Sequence, residues 1–308
     1  MISKSYLDFN NRDFIYSISG MNSRNTIVEY FDHFYSNTYY TLDGRTSLLL
    51  GLKSLNLPPG SAVAVPLYCC KSVFDTILEA GLKIHFVDVL NDFCININSL
   101  EKINDKISAI IIIHMFGKIV DVDKVREVVG NKIIIEDCAH SVISFQSSNH
   151  SRKPILGTKG DLAFYSFRLG KYVSSGTGGL LAVNNVKLVD SVKKNYTLMK
   201  SLNPYKILFY LLTFITKSKI YNNYSLYNLF IIEMSKKFSF SKSYKNSGKF
   251  KMPNSFRKLL SFKLKAYSNN VKKQRKNASK ILNNFRPKNF EFYLDKSLKN
   301  NLALFIPI

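Results

Sequence analysis

The sequence lacks the features of a secreted or membrane-spanning protein. Its first twenty residues contain no apolar run of the kind that a signal peptide needs. No stretch of 18 or more apolar residues occurs, and the longest one in the second half, residues 207–215, is too short to cross a bilayer. We therefore expect a cytoplasmic protein without a membrane-spanning helix. Its 308 residues, 46% of them hydrophobic, are enough for a sizeable core.

Cysteine is scarce and lacks the spacing of a metal site. The four cysteines are Cys69, Cys70, Cys94 and Cys138, and no C-x-x-C pattern occurs. We therefore expect neither zinc nor a disulfide framework. Cys69 and Cys70 would point to opposite faces of a strand, which disfavours a bond between them. We interpret the four residues as buried thiols in a reducing cytoplasm.

Acidic residues are almost absent from residues 191–290, which hold 23 Lys and Arg against the single acid Glu233. The rest of the chain is nearly neutral, with 21 basic and 20 acidic residues. Such a segment is attracted to anionic membrane, nucleic acid or acidic ligands, and a solvated basic face explains it equally well. Nucleic acid is the weakest of these partners, because no recognisable motif of that class is present.

From about residue 45 to 190, apolar β-rich runs alternate with helical patterns. The pattern predicts helices over residues 45–55, 71–80 and 122–129. It predicts strands over residues 61–66, 83–89, 107–115, 132–137, 162–167 and 179–183. This βαβα order favours an α/β fold with three αβα layers, in which a mostly parallel sheet is covered by helices on both sides.

Residues beyond 190 have a different character. Residues 203–240 are aromatic, apolar and basic and predict short amphipathic helices, whereas residues 256–284 predict one long basic helix. The stretch ILFYLLTFI at 207–215, flanked by lysines, suits an interfacial helix on anionic lipid. A packed hydrophobic insertion is an equally good explanation of the same stretch.

Polar residues follow the predicted strands at the edge where α/β sheets bind ligands. Asp137 ends the apolar run KIIIED, and Lys171 lies between the strand LAFYSF and the glycine-rich run SSGTGG. The residues Gly44-Arg45-Thr46-Ser47 open a predicted helix, and Ser166 lies five positions before Lys171. A cofactor held as a Schiff base needs a lysine, a carboxylate for its pyridine nitrogen and a phosphate cradle at a helix start. These residues supply all three, whereas His114 at the end of an apolar strand is interpreted as structural.

Several motifs between residues 40 and 185 occur in the order of a known family. They are GRTSLLLGLKSLNLPPGSAVAVP, LYCCKSVFDTILEAGLKIHFVDV, IIIIHMFGKIVDVDKV, IIEDCAHS and GTKGDLAFYSFRLGKYVSSGTGGLLAVNN. In these motifs the chain resembles the DegT/DnrJ family of pyridoxal-phosphate-dependent sugar aminotransferases. The resemblance implies a large domain of the type I aminotransferase fold that binds pyridoxal 5'-phosphate, followed by a small C-terminal domain.

The resemblance also implies a role for each matching residue. Lys171 falls on the lysine that forms the Schiff base, and Asp137 falls on the partner of the pyridine nitrogen. His140 falls near the ring hydroxyl of the cofactor. Phosphate contacts fall on Ser166 and on the helix start at Gly44, Arg45 and Thr46. Cys70 falls where the family often has an aromatic residue over the ring, and Tyr68 is the nearest candidate to supply that stacking.

Three departures from the family pattern affect the expected activity. Thr177 replaces the glutamate of a G-E-G-G motif, and residues 249–253 only partly match a motif that usually contributes to the partner subunit's site. The sequence ends at Ile308, before the small domain of the family would be complete. We therefore expect a large cofactor-binding domain over residues 1–190, a basic apolar-aromatic insertion over 191–245, and a helix with an incomplete small C-terminal domain over 246–308.

The resemblance implies an aminotransferase that converts a nucleotide-linked keto sugar to an amino sugar for surface polysaccharide such as lipopolysaccharide. Glutamate is the expected amino donor, a homodimer is the expected assembly, and the basic segment suggests peripheral contact with anionic membrane. The alternative is a truncated or degenerate member that acts as a non-catalytic binding or scaffold protein. A sugar dehydratase is less favoured, because dehydratases of the family tend to have histidine where this chain has Lys171.

Overall fold

A computed structural model describes residues 9–21, 29–32, 34–140, 156–171, 173–222 and 249–265. Within them, seven strands form one sheet in the order β1-β7-β6-β5-β4-β2-β3. The strands are β1 (Thr38–Thr41), β2 (Ala62–Pro66), β3 (Lys83–Val87), β4 (Ala109–Ile113), β5 (Ile133–Asp137), β6 (Leu162–Ser166) and β7 (Gly179–Val183). β7 runs opposite to the other six strands, so the prediction of a mostly parallel sheet is confirmed.

Nine α-helices lie in the described part of the chain. They are α1 (Asn11–Ser19), α2 (Glu29–Asp32), α3 (Gly44–Ser54), α4 (Lys71–Glu79), α5 (Ile97–Glu101), α6 (Val122–Val129), α7 (Val189–Thr197), α8 (Pro204–Asn222) and α9 (Asn254–Lys265). The three helices and six strands predicted between residues 45 and 183 are all present, with ends shifted by two residues at most. Gly130 ends α6 with a φ of +60°, a backbone conformation that favours glycine.

The strands alternate their side chains between two buried faces. In β4, Ile111 and Ile113 pack on one side with residues of α3, α4 and α7. Ile110 and Ile112 pack on the other side with residues of α5 and α6. Next to them on that second side, α1, α2, α8 and α9 surround a core cluster that includes residues of β6 and β7. The three-layer αβα arrangement is therefore confirmed.

Several parts of the fold differ from the prediction, and the helices α1, α2, α5 and α7 were not predicted from the sequence. β1 was not predicted either, because its residues TYYT do not form a long apolar run, although three of the four are buried in the sheet. In place of several short helices after residue 203, α8 is one helix of 19 residues. The predicted elements over residues 223–240 and 266–284, and the proposed boundary at 245, lie outside the described residues.

The prediction that the four cysteines are buried thiols is confirmed only in part. All four are free thiols, and Cys94 and Cys138 are buried. Cys69 is half-buried, whereas Cys70 is exposed, so the expectation of burial is wrong for Cys70. The reason is that β2 ends at Pro66, and Cys70 therefore lies in the following loop as the N-cap of α4 rather than in a strand. Among the described helices, none is both long and apolar enough to cross a membrane.

Candidate active site at the carboxyl edge of the sheet

Asp137 and Lys171 reach the same place from neighbouring strands. Asp137 is the last residue of β5, and its side chain is 5% exposed. Lys171 lies in the turn that follows β6, where its backbone N–H donates to Arg168 O over 3.1 Å. The preceding Gly170 has a φ of +84°, which allows the chain to turn back toward the sheet edge.

The ionisation of these two residues is coupled. Burial raises the pKa of Asp137 to about 6, although a hydrogen bond from the Ala139 N–H (2.8 Å) and the charge of Lys171 act to lower it. Burial lowers the pKa of Lys171 to about 8, while Asp137 acts to raise it and Arg168 acts to lower it further. Cys70 also raises the pKa of Lys171. Cys70 and Asp137 therefore lie close enough to Lys171 for their charges to act on its pKa.

His140 belongs to the same group. Burial, together with the positive charges of Lys171 and Arg168, lowers the pKa of His140 to about 4. The imidazole is therefore neutral near pH 7. Its Nδ1 lies 3.2 Å from Met115 Sδ, and its ring lies against that of Phe116 with the centroids 6.1 Å apart.

The start of α3 forms the other end of the site. Asp43 caps this helix and accepts a hydrogen bond from the Thr46 N–H over 2.7 Å. A Cβ atom added to Gly44 would lie 2.8 Å from Ser166 Cβ, so the helix start rests directly on the end of β6. Gly179 permits a similar approach, since an added Cβ would lie 2.3 Å from Asp43 O. The two glycines thus hold the helix N-terminus against the strand that leads to Lys171.

Arg45 and Thr46 belong to the first turn of α3 and contribute backbone groups to its N-terminus. The Arg45 side chain forms an ion pair with Glu79 at 2.6 Å, and Thr46 is buried. Amide groups in the first turn of a helix have no acceptor within the helix and favour an anion. The Thr46 N–H already donates to Asp43, so a phosphate at this position would be held by the other main-chain groups of the helix start and by Ser166 rather than by the guanidinium.

The departures from the family motifs have structural counterparts. Thr177, at the glutamate position, donates from Oγ1 to Leu42 O over 2.5 Å and so ties the glycine-rich loop to the residue after β1. Residues 249–253 pair with β1 of their own chain: Leu42 N–H donates to Phe250 O, and Met252 N–H donates to Tyr40 O, each over 3.0 Å.

His114 has the structural role expected of it. It is fully buried, and its Nδ1 accepts from the Val120 N–H at 3.1 Å, which leaves Nε2 to donate to Glu136 at 3.0 Å. Among the described residues, His114, Glu136 and Cys138 are close enough to share a metal ion. Because both ring nitrogens of His114 are already engaged within the protein, we assign no metal to them.

Two residues of the site were not predicted from the sequence. Arg168 is exposed and acts on the ionisation of both Lys171 and His140. Asp43 caps the helix that would hold a phosphate. A basic residue in the turn before the lysine, and an acidic residue before the helix glycine, are the sequence signals that would have indicated them.

Comparisons with known proteins identify relatives of this chain. GDP-perosamine synthase from Escherichia coli O157:H7 is 30% identical over 152 residues, which cover 48% of this chain and 40% of that protein. The chain thus matches less than half the length of this relative. Among solved structures, Helicobacter pylori PseC, an aminotransferase involved in the biosynthesis of pseudoaminic acid, aligns with a TM-score of 0.68 at 16% identity, over 98% of this chain and 75% of that one.

A second solved structure is the E. coli GDP-4-keto-6-deoxy-D-mannose-3-dehydratase with bound hydrated pyridoxal phosphate. It aligns with a TM-score of 0.64 at 18% identity, over 99% of this chain and 78% of that one. Residues 29–295 match the sequence model of one family, which is well over half of the chain. The chain belongs to the DegT/DnrJ/EryC1/StrS aminotransferase family.

Proposed function

We propose that this chain is a pyridoxal-phosphate-dependent aminotransferase that converts a nucleotide-linked keto sugar to an amino sugar for surface polysaccharide. The observation that carries the proposal is the coupled pair of Lys171 and Asp137 beside the N-terminus of α3. The similarity to GDP-perosamine synthase supports the nucleotide-linked sugar as substrate class.

The residues present fit this cofactor. Asp137 is a buried carboxylate, as a partner for a protonated pyridine nitrogen must be. Because Gly44 has no Cβ, the start of α3 packs directly against Ser166, so the first-turn amides and the Ser166 hydroxyl lie side by side, where they could hold a phosphate group. When bound, pyridoxal phosphate supplies a ring that accepts electrons from the α-carbon of an amine. Lys171 is the residue that would attach it covalently.

The protein side of the reaction is acid–base chemistry by Lys171. As a free amine, Lys171 takes the proton from the α-carbon of the amino donor, and in the second half-reaction it returns a proton to the carbon of the sugar that becomes aminated. A pKa of about 8 leaves part of the amine neutral near pH 7, which suits a group that must both take and give a proton. Because His140 is neutral near pH 7, it adds no second positive charge that would compete with the pyridine nitrogen for Asp137.

Glutamate is the proposed amino donor. Arg168 is an exposed cation close enough to Lys171 to lower its pKa, so it is placed to attract a donor carboxylate. Replacing Arg168 with Gln should raise the KM for glutamate more than the KM for the sugar. A variant with unchanged glutamate kinetics would exclude Arg168 from donor binding.

The central test is the variant Lys171→Ala, compared with Lys187→Ala at an exposed position. Purified protein is incubated with pyridoxal phosphate, reduced with borohydride and digested for mass spectrometry. We expect the label on Lys171 in wild type and in Lys187→Ala. We expect turnover with glutamate to fall by at least about 10²–10⁴-fold in Lys171→Ala. Full activity in Lys171→Ala would overturn the proposal, and a protein that never takes up the cofactor would favour the non-catalytic alternative.

A homodimer in the cytoplasm is part of the same proposal. It is supported by the family resemblance, in which the region matching residues 249–253 contributes to the partner's site. Light scattering coupled to size exclusion should give twice the mass of one chain. A monomer would contradict this expectation.

We also propose peripheral contact with anionic membrane, through the outward side of α8. The inner side of this helix packs Ile207, Leu211 and Phe214 into the core. The opposite side carries four exposed apolar or aromatic residues, among them Tyr205 (83% exposed) and Phe209 (68% exposed), together with Leu208 and Leu212. Their spacing of three and four residues gives a second apolar stripe on the same helix.

The charge around this stripe supports lipid as its partner. Lys206 and Lys219 lie on the same helix, and the described residues between 191 and 265 include no Asp or Glu. An amphipathic surface that joins apolar side chains to lysines binds anionic membranes both by burial and by charge. The sequence left open whether the stretch 207–215 is a packed insertion or an interfacial helix. The two explanations are compatible, because one side of the helix packs in the core and the other side is exposed.

Vesicle flotation tests this contact. Wild type should float with vesicles that contain phosphatidylglycerol and not with phosphatidylcholine alone, and salt should weaken the binding. Phe209→Ser with Leu212→Ser should lose it, whereas Leu198→Ser, at an exposed position in the turn after α7, should not. Binding that is equal on both vesicle types, or a stripe that is buried in a dimer, would contradict the proposal.

A further inference from the structure

Four aromatic rings line the carboxyl edge of the sheet next to Lys171. They are contributed by the loops that follow four parallel strands, and we call them the aromatic ledge: His140 after β5, Phe116 after β4, Tyr68 after β2 and Phe93 after β3. This is also the order in which the strands lie in the sheet. The ledge therefore starts at the proposed active site and runs outward to the edge strand β3.

The rings contact one another along the whole row. The centroids of His140 and Phe116 are 6.1 Å apart, and those of Phe116 and Phe93 are 5.3 Å apart in an edge-to-face arrangement. Tyr68 lies 4.9 Å from Phe93 and 6.4 Å from Phe116. The outer end is open to solvent, because Tyr68 is 48% exposed.

Two of the rings belong to residues whose backbone conformation is unfavourable for any residue with a side chain. Phe93 has a φ of +64° and Phe116 a φ of +53°, both in the left-handed region where glycine is preferred. Asp92 and Lys118 form an ion pair at 2.5 Å that joins the two turns. Asp92 also accepts from the Cys94 N–H at 2.9 Å. Strain that is held in place by its surroundings is characteristic of residues with a function, so packing alone is an incomplete explanation of the two phenyl rings.

We propose that the outer part of the aromatic ledge, Tyr68 and Phe93, stacks the heteroaromatic base of the nucleotide-linked sugar; this inference rests on the proposed function. Flat π surfaces bind any base by stacking, whatever its pattern of donors and acceptors. The amino donor has no ring and cannot use the outer part. In this arrangement the polar sugar reaches the inner end of the ledge at Lys171.

Nucleoside diphosphates are the probes for this site. GDP and UDP are titrated into the cofactor-loaded protein by calorimetry, with pyrophosphate as the ligand that has no base. Phe93→Leu and Tyr68→Leu should weaken nucleotide binding by roughly 5–150-fold, the loss expected for one stacked base. Pyrophosphate binding should stay as in wild type in both variants, and the reaction with glutamate should stay as in wild type in Phe93→Leu, because neither involves a base.

Two matched variants separate stacking from folding. Phe86→Leu removes an exposed ring from β3 outside the ledge and should leave the binding of nucleoside diphosphates unchanged. Phe93→Tyr keeps a ring on the same backbone and should bind nucleotides as wild type does. Equal weakening by Phe86→Leu, or no weakening by Phe93→Leu and Tyr68→Leu, would overturn the proposal.

The experiments distinguish an incorrect proposal for the aromatic ledge from an incorrect proposed function. If wild type reacts with glutamate but binds no nucleoside diphosphate, the ledge proposal is wrong while the aminotransferase remains. If wild type neither holds the cofactor nor reacts with glutamate, the proposed function itself fails. If Tyr68→Leu changes the visible spectrum of the bound cofactor and leaves nucleotide binding intact, Tyr68 stacks on the cofactor and the ledge is not a base site.

Discussion

Asp137 raises the pKa of Lys171, and Lys171 lowers the pKa of Asp137, although the two residues are 34 positions apart in the chain. The contact exists because β5 and β6 are parallel neighbours, so their following residues meet at one edge of the sheet. Burial acts on both residues against their charged forms, and each charge partly offsets that effect on the other. The site thus contains a lysine whose ionisation depends on one carboxylate.

Removing the charge of Asp137 should therefore make Lys171 a neutral amine at lower pH. In cofactor-free Asp137→Asn, we expect the pH midpoint for covalent labelling of Lys171 to fall below about 8. Peptide mapping after brief acetylation across a pH series measures this midpoint. Asp190→Asn, an exposed aspartate outside the site, is the control and should keep the wild-type midpoint. A midpoint that rises in Asp137→Asn would contradict the coupling.

The same substitution should stabilise the cofactor-free protein at neutral pH. The pKa of Asp137 is about 6 in the folded state and 3.8 in its ordinary state, so the folded protein binds this proton more tightly and loses stability as pH rises from about 4 to 6. Asp137→Asn should remove that loss, which is about 2–3 kcal/mol above pH 6 and vanishes below about pH 4. Urea unfolding at several pH values measures the difference. A difference that does not depend on pH would exclude this origin.

The sequence was sufficient for the parts of the fold with strong local patterns. The run KIIIED predicts both the buried strand β5 and the carboxylate at its end, since an apolar run that stops at an acidic residue marks a strand end at the sheet edge. Lys171 was assigned from its position between β6 and the glycines together with the order of the family motifs, and its role in the Schiff base stays a prediction. In contrast, the residues of β1 have no run of apolar character, and their burial results from pairing with β7.

Features that depend on several distant segments could not be predicted in this way. The aromatic ledge collects one ring from each of four loops, and only the strand order places Tyr68 beside Phe93. Taken alone, each of these four residues has the sequence context of an ordinary loop residue. Similarly, α8 has apolar residues on opposite sides, so the periodicity of its sequence does not indicate which side is packed in the core.

The close approach of α3 to β6 should make Gly44 critical for cofactor binding. Gly44→Ala would put a Cβ atom 2.8 Å from Ser166 Cβ, so the helix start must move away from the strand. We expect the affinity for pyridoxal phosphate to fall roughly tenfold, measured by absorbance titration. Gly51→Ala is the control, because it lies in the same helix and meets only the flexible ends of Leu162 and Leu181, at 3.3 Å. Equal affinities of the two variants would argue against a phosphate at this helix start.

Glu136 should be essential to the fold on the opposite side of β5 from that of Asp137. Its carboxylate is fully buried and accepts from four donors: His114 Nε2 and the backbone N–H groups of Gly157, Lys159 and Gly160. In Glu136→Gln, the amide NH₂ must face two of these donors whichever way it is turned. We expect a loss of roughly 3–5 kcal/mol in the free energy of unfolding at pH 7.

The pH dependence of this loss distinguishes a charge effect from simple packing. Burial acts to raise the pKa of Glu136, but the hydrogen bonds from His114 and the backbone outweigh it and hold the pKa below its ordinary value of 4.5. The carboxylate therefore stabilises the fold above about pH 4.5, and this contribution declines as pH falls through the lowered pKa. The gap between wild type and Glu136→Gln should narrow in acid. Glu127→Gln, at an exposed position, should stay within about 0.5 kcal/mol of wild type at every pH. If Glu136→Gln were as stable as Glu127→Gln at pH 7, the buried carboxylate would not hold the residues before β6 in place.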